Sequence, residues 1–136
     1  FTDRGGMLQV QNGVPRVRSI LQEPYYGEAL EQAVQGFPVL VANGQTSFTN
    51  TQGDRASRRT IVAQDANGRI LLLTTPSLFG MRLVDLSAGL PATDLNLVTA
   101  VNLDGGGSTM MWIGGNAAYQ LYSFDPVPAV LAVYPR

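Results

Sequence analysis

The chain reads as an α+β fold, an antiparallel or mixed β-sheet carrying two or three helices. Three observations predict it. Short apolar stretches of strand length recur, several of them joined by Asn-Gly or Ala-Asn-Gly turns that favour hairpins. Two other stretches space their apolar residues as a helix does. The strand-like stretches outnumber the helical ones, and no internal repeat or second domain interrupts them, so residues 1–136 read as one unit.

Taken in order, Met7 to Gln11 and Val14 to Arg18 form a hairpin around Asn12-Gly13, with Pro15 marking its second arm as an edge. "EALEQAVQ", Glu28 to Gln35, predicts a helix through Leu30, Ala33 and Val34 that stops at Gly36. "FPVLVANGQTSF" is a strand followed by an Asn43-Gly44 turn, and the polar residues 45–57 read as an exposed loop. "RRTIVAQDANGRILLLTT" is a hairpin with Ala66-Asn67-Gly68 at its tip. Its second arm, Ile70 to Leu73, is apolar throughout and predicts a central strand. Leu83, Leu86 and Leu90, with Val84, predict a helix that Pro91 ends, and Thr93-Asp94 a capped further turn through Leu97. Val98 to Leu103, Thr109 to Ile113, Ala118 to Tyr122 and Ala129 to Tyr134 complete the sheet, with Gly114-Gly115-Asn116 as a turn.

With 136 residues and 45% hydrophobic content the chain can bury a core of its own. No apolar run approaches the roughly 20 residues of a spanning helix, which argues against membrane insertion. A net charge of −1 with scattered arginines argues against nucleic acid as a partner. Cysteine, histidine and lysine are all absent, and the nine cations are all arginine. That removes disulfides, thiol and histidine-based nucleophilic catalysis, Schiff bases and Cys/His zinc sites. Catalysis would rest on Asp, Glu, Arg, hydroxyls, backbone amides or a hard cation. Opening at Phe1, the chain reads as a piece of a longer protein.

One stretch stands apart. "AVNLDGGGSTMMWI" interrupts two apolar runs with Asp104, three glycines, Ser108 and Thr109. A turn needs one glycine, or two. Consecutive glycines can turn several N–H groups inward as an anion-binding nest, and they let a ligand touch the main chain. Ser108 and Thr109 would add hydroxyl donors at the rim. The plain alternative is a loose hairpin turn in which Asp104 caps an amide. The run is neither a Walker loop, lacking a lysine, nor a dinucleotide fingerprint.

At "NLDGGGSTMMW" the sequence resembles the phosphodiester glycosidase family, known for the uncovering reaction that removes N-acetylglucosamine from a phosphodiester. "GFPVLVANGQ" is similar to that family's "GxPxLVxxG" hairpin, Arg59-Thr60 to its Arg-Thr strand, and "GMRLVDLSAGL" to its "GMTLxELAxxL" helix. The likeness covers roughly residues 37–113. Two departures accompany it. Thr74-Thr75-Pro76-Ser77 stands where many members have Asp-Gly-Arg, and Asp125-Pro126-Val127-Pro128 where the tail commonly has Asn-Arg-Pro. Members also extend N-terminal of Phe1, so an N-terminal portion of the domain would be missing.

The resemblance implies cleavage of a sugar-1-phosphodiester, with a carbohydrate phosphate or glycan as partner and an extracytoplasmic, bacterial setting. It implies Arg59 on the phosphate, supplemented by the amides of Gly105, Gly106 and Gly107, with Thr60, Asn102, Ser108 and Thr109 lining the substrate. Asp104 would act as base, as sugar anchor, or as ligand to a divalent cation such as Ca²⁺. Each role has a structural counterpart. Arg59 could simply pair with Asp54 or Asp65; Arg58 and Arg55 could reach the same pocket but read rather as surface charges, Asp85 as a solvent-facing acid, and Trp112 as core. Tyr25 and Tyr26 could stack on sugar rings. Only Asp104 is a strong carboxylate candidate, whereas a glycosidase ordinarily uses two; the second would come from the missing N-terminal portion, from Asp65, or from nowhere. A non-catalytic glycan-binding domain and a structural module of a surface protein are therefore the alternatives. An edge strand left unpaired by a missing segment would favour association with that segment or with a second copy.

Overall fold

In a computed structural model describing residues 5–76, 80–116 and 118–135, the Asn-Gly pairs behave as their chemistry dictates. Asn12 and Gly13 both take positive φ (52° and 73°), as do Asn43 and Gly44 (51° and 72°). That is the backbone of tight hairpin turns whose twist matches the strands they join. The first turn joins β1 (Gly6–Gln11) to β2 (Val14–Ser19), and β3 (Gln32–Gly36) pairs along the other side of β1. The second turn joins β4 (Val39–Ala42) to β5 (Gln45–Thr46). A third hairpin joins β6 (Thr60–Asp65) to β7 (Ile70–Thr74), with Gly68 at φ 81° in its tip.

After α1 (Leu83–Gly89) and a 3₁₀ turn at Leu90–Ala92, β8 (Leu97–Asn102) inserts between β4 and β6. The result is a five-stranded sheet of order β5-β4-β8-β6-β7 beside a three-stranded sheet of order β2-β1-β3. β9 (Met111–Ile113) and β10 (Tyr119–Leu121) form a separate hairpin. All described pairings are antiparallel.

The period-2 alternation of the central strands sends side chains to two cores. On one face of the larger sheet, Leu40, Ile61, Ala63 and Ala100 meet Leu86 and Leu90 of the helical segment. On the other, Val39, Val62 and Val101 meet Leu8 and Val17 of the smaller sheet. Helix, sheet and sheet thus form three layers, with β8 covered on both sides. Each fully buried aliphatic side chain in these clusters contributes about 1.5–3 kcal/mol.

Several expectations are corrected. Glu28 to Gln35 is not helical: the main chain from Gln32 pairs with β1 instead, and that pairing overrides the local spacing. The described residues hold one α-helix, continuing into a 3₁₀ turn; a further turn follows at Asp94-Leu95, but Thr93 does not cap it, its hydroxyl donating back to the Leu90 carbonyl. β7 is an edge, not a central strand, and Leu72 is 40% exposed. Its apolar run is explained by Leu71 and Leu73 reaching one core and Ile70 the other. Trp112 is 67% exposed rather than core. Residues 129–134 form no strand, and Val130, Val133 and Tyr134 stand exposed. Ser77 lies outside the described residues. No helix among the described residues is long and apolar enough to cross a membrane.

Candidate functional site

β8 ends at Asn102, and the chain then makes the glycine turn, a 3₁₀ turn at Gly106–Ser108. The three glycines serve different ends. Gly106 has φ 65°, a left-handed conformation that side chains disfavour. A Cβ on Gly105 would lie 2.8 Å from the Arg58 carbonyl oxygen, and one on Gly107 would run into the Asp125 carboxylate. The turn is therefore pressed against the residues entering β6 on one side and against the C-terminal segment on the other. That crowding at Gly105 and Gly107, with the positive φ of Gly106 between them, accounts for a run of three.

Asp104 is exposed, and its Oδ1 accepts the Gly105 N–H at 2.9 Å. The Gly106 N–H donates to the Arg58 carbonyl at 2.8 Å, those of Ser108 and Thr109 to Gly105 and Gly106. The amides of Gly105 and Gly106 are thus already engaged, so an inward-turned nest over all three glycines is not the geometry found. Ser108 is half-buried on the turn. Thr109 is fully buried and Asn102 nearly so, neither of them a rim group. Asn102 Nδ2 donates to the Phe37 carbonyl at 2.9 Å, tying β8 to the strand entrance beside it. Asn102 Oδ1 and Thr109 Oγ1 are buried with no partner among the described residues.

Arg59 pairs with Asp54, as one of its two structural readings had it. Nη2 reaches Asp54 Oδ1 at 3.3 Å and the Arg55 carbonyl at 2.6 Å, while Nε donates to the Met81 carbonyl at 3.0 Å. Asp54 also accepts the Leu83 and Val84 N–H groups at 3.0 and 2.9 Å. One buried carboxylate therefore caps α1 and holds the guanidinium. Arg59 Nη1 has no partner among the described residues, and 14% of the side chain remains exposed. The Arg59 main chain lies alongside Gly105, and the Leu103 N–H donates to Thr60 O at 2.8 Å, so Arg59 and Thr60 adjoin the turn through their backbones.

Arg58 is not a surface charge. It is 6% exposed, and its Nη2 donates to the carbonyls of Thr109 at 2.5 Å and Tyr122 at 2.7 Å. Its neighbour Phe124 stacks on it, with the guanidinium carbon 4.3 Å from the ring centroid. Sequence reasoning misjudged the burial of Arg58 and missed Asp125, since both are brought to the turn by contacts between distant segments. Asp85 is half-exposed; its hydrogen bond to Arg82 lowers its pKa. Tyr25 donates to the Glu28 carbonyl at 3.2 Å, while Tyr26 is largely exposed.

A hard cation asks for about six oxygen ligands or more. No group of three potential acidic ligands gathers around Asp104 among the described residues. Cavities of about 240 and 160 Å³ lie elsewhere, by Arg16 and Asp65 and by Leu21 and Phe48, and neither includes the glycine turn.

The family model for phosphodiester glycosidases matches residues 3–134. Among solved structures, the chain is similar to the catalytic domain of zebrafish N-acetylglucosamine-1-phosphodiester alpha-N-acetylglucosaminidase, auto-inhibited by its pro-peptide. The TM-score is 0.60 and the identity 22%, over 79% of this chain and 41% of that one. A hypothetical protein from Synechocystis gives a TM-score of 0.49 and 18% identity, over 90% of this chain and 31% of that one. No curated protein matches the chain. At 22% identity the likeness to the zebrafish structure is one of fold, and the chain spans less than half the length of that one. The family match, running from residue 3 to residue 134, is the stronger finding: the protein belongs to the phosphodiester glycosidase family.

Proposed function

We propose that the glycine turn is the centre of a hydrolytic site for sugar-1-phosphodiesters, in a protein acting on glycans outside the bacterial cytoplasm. The observation that carries this reading is the exposed Asp104 carboxylate at the end of β8, the central strand of the sheet, on a turn crowded enough to need glycine. A phosphate monoester leaves readily as an anion, so the reaction asks for little general acid. It asks for charge neutralisation at the phosphate and for a negative group facing the anomeric carbon as positive charge develops there.

In this reading Asp104 is the negative group. Arg59 meets the phosphate through Nη1, its free edge, with Thr60, Ser108 and the glycine backbone beside it. The remaining donors of Arg59 stay with Asp54 and the carbonyls, which fixes the direction of that edge. Release of free sugar from a sugar-1-phosphodiester tests the proposal. Wild-type protein should release sugar, and Arg59→Lys, which keeps the charge beside Asp54 but loses the fork, should raise KM about tenfold. Binding of the diester without turnover would instead make the protein a glycan-phosphate receptor.

A further inference from the structure

The fold brings a second acid to the glycine turn. Phe124 and Asp125 donate their main-chain N–H groups to the Gly107 carbonyl at 2.7 and 3.2 Å. The Asp125 carboxylate rests on the face of Gly107, where a side chain would otherwise stand. Behind them, buried Arg58 bonds both Thr109, at the exit of the turn, and Tyr122, at the start of the segment that carries Asp125. Its Nε and Nη1 have no partner among the described residues. Burying a guanidinium so incompletely matched is costly. What the arrangement achieves is a fixed distance between the glycine turn and residues 122–125.

We infer that Asp125 is the second carboxylate of the site and that Arg58 is the residue that positions it. This rests on the glycosidase reading above. Asp104 enters the turn just before Gly105, Asp125 lies on Gly107, and both are exposed to water. Three peptide units separate the Cα atoms of Asp104 and Gly107 by about 11 Å at most. Both acids thus stand at one short turn, and direct attack by water asks of them a separation of about 6.5–9.5 Å. Asp125 accepts a proton from water as the water oxygen bonds to the anomeric carbon. The bond from that carbon to the phosphate oxygen breaks, and the phosphate monoester leaves with the electron pair. Asp104 faces the transient positive charge throughout, and the proton on Asp125 returns to solvent.

The test follows sugar release by the full-length protein across pH, for the wild type, Asp125→Asn, Asp125→Ala and Arg58→Met, each checked for folding by circular dichroism. Asp125→Asn should lower kcat at least 100-fold with KM within about twofold, and remove the acid limb of the pH profile. Added formate should restore part of the activity of Asp125→Ala. Arg58→Met should lower kcat at least tenfold and move the midpoint of the acid limb, which a mere loss of folded protein would not do. Asp125→Asn within fivefold of the wild type, with its acid limb intact, would overturn the inference while leaving the glycosidase reading in place. Wild-type protein that releases no sugar removes that reading itself, and this inference with it.

Discussion

Two turns of this protein begin with an aspartate at the end of a β-strand, and they treat it in opposite ways. Asp65, at the end of β6, is 2% exposed. Its carboxylate accepts the Asn67 and Arg69 N–H groups at 3.0 and 2.8 Å and the Arg69 Nε at 2.6 Å. Burial pushes its pKa up, but these hydrogen bonds pull harder, and the net is below the ordinary 3.8. Asp104, beyond the end of β8, is exposed and accepts only the N–H of the residue after it. The first turn uses one glycine, at the single place where φ is positive; the second uses three, two of them because neighbouring groups lie too close for a side chain. A carboxylate that shapes a turn is saturated by that turn. One left unsaturated on a crowded turn is available to something else.

The largest difference between the two should be chemical. Asp104→Asn is expected to cut sugar release at least 100-fold while leaving the melting temperature unchanged, measured by product assay and calorimetry on the same samples. Asp65→Asn should do the reverse, keeping turnover and lowering the melting temperature by several degrees. Gly107→Ala is expected to cost about 1–3 kcal/mol in denaturant unfolding, because the added methyl meets the Asp125 carboxylate, whereas Gly68→Ala should suffer only from its positive φ. Acid separates the turns again. A lowered native pKa means that Asp65 stabilises the fold above the unfolded value of about 3.9, and that this is lost as pH falls through the native value. Melting from about pH 6 to about pH 2 should therefore fall less steeply in Asp65→Asn than in the wild type. As the smallest effect, Asp85→Asn, at an exposed pair, should give no resolvable change in melting.

Much of this contrast was legible in the chain. The hairpin turns declared themselves because Asn-Gly can hold two successive positive φ angles, and the helix because Leu83, Leu86 and Leu90 share a face. The glycine run and its companion motifs pointed to the family without any coordinates. What stayed hidden depends on distant contacts. "EALEQAVQ" carries a helical spacing, but pairing with β1, a contact between separate segments, overrides it. Arg58 and Arg59 are neighbours with identical local signals, yet one is buried by Tyr122, Phe124 and Thr109 while the other turns to Asp54. Trp112 alternates as a core residue would, but among the described residues β9 pairs with β10 alone, outside the layered sheets.

The place of β8 has a kinetic corollary. Local opening starts where hydrogen bonds face solvent and few apolar contacts hold them, as in β5, β7 and residues 126–135, and reaches the doubly covered middle strand last. Amides of Ala100 and Val101 should accordingly be among the slowest to exchange with deuterium. The acid suspended from that strand keeps its address until the whole domain comes apart, so heat should extinguish its chemistry and its fold together.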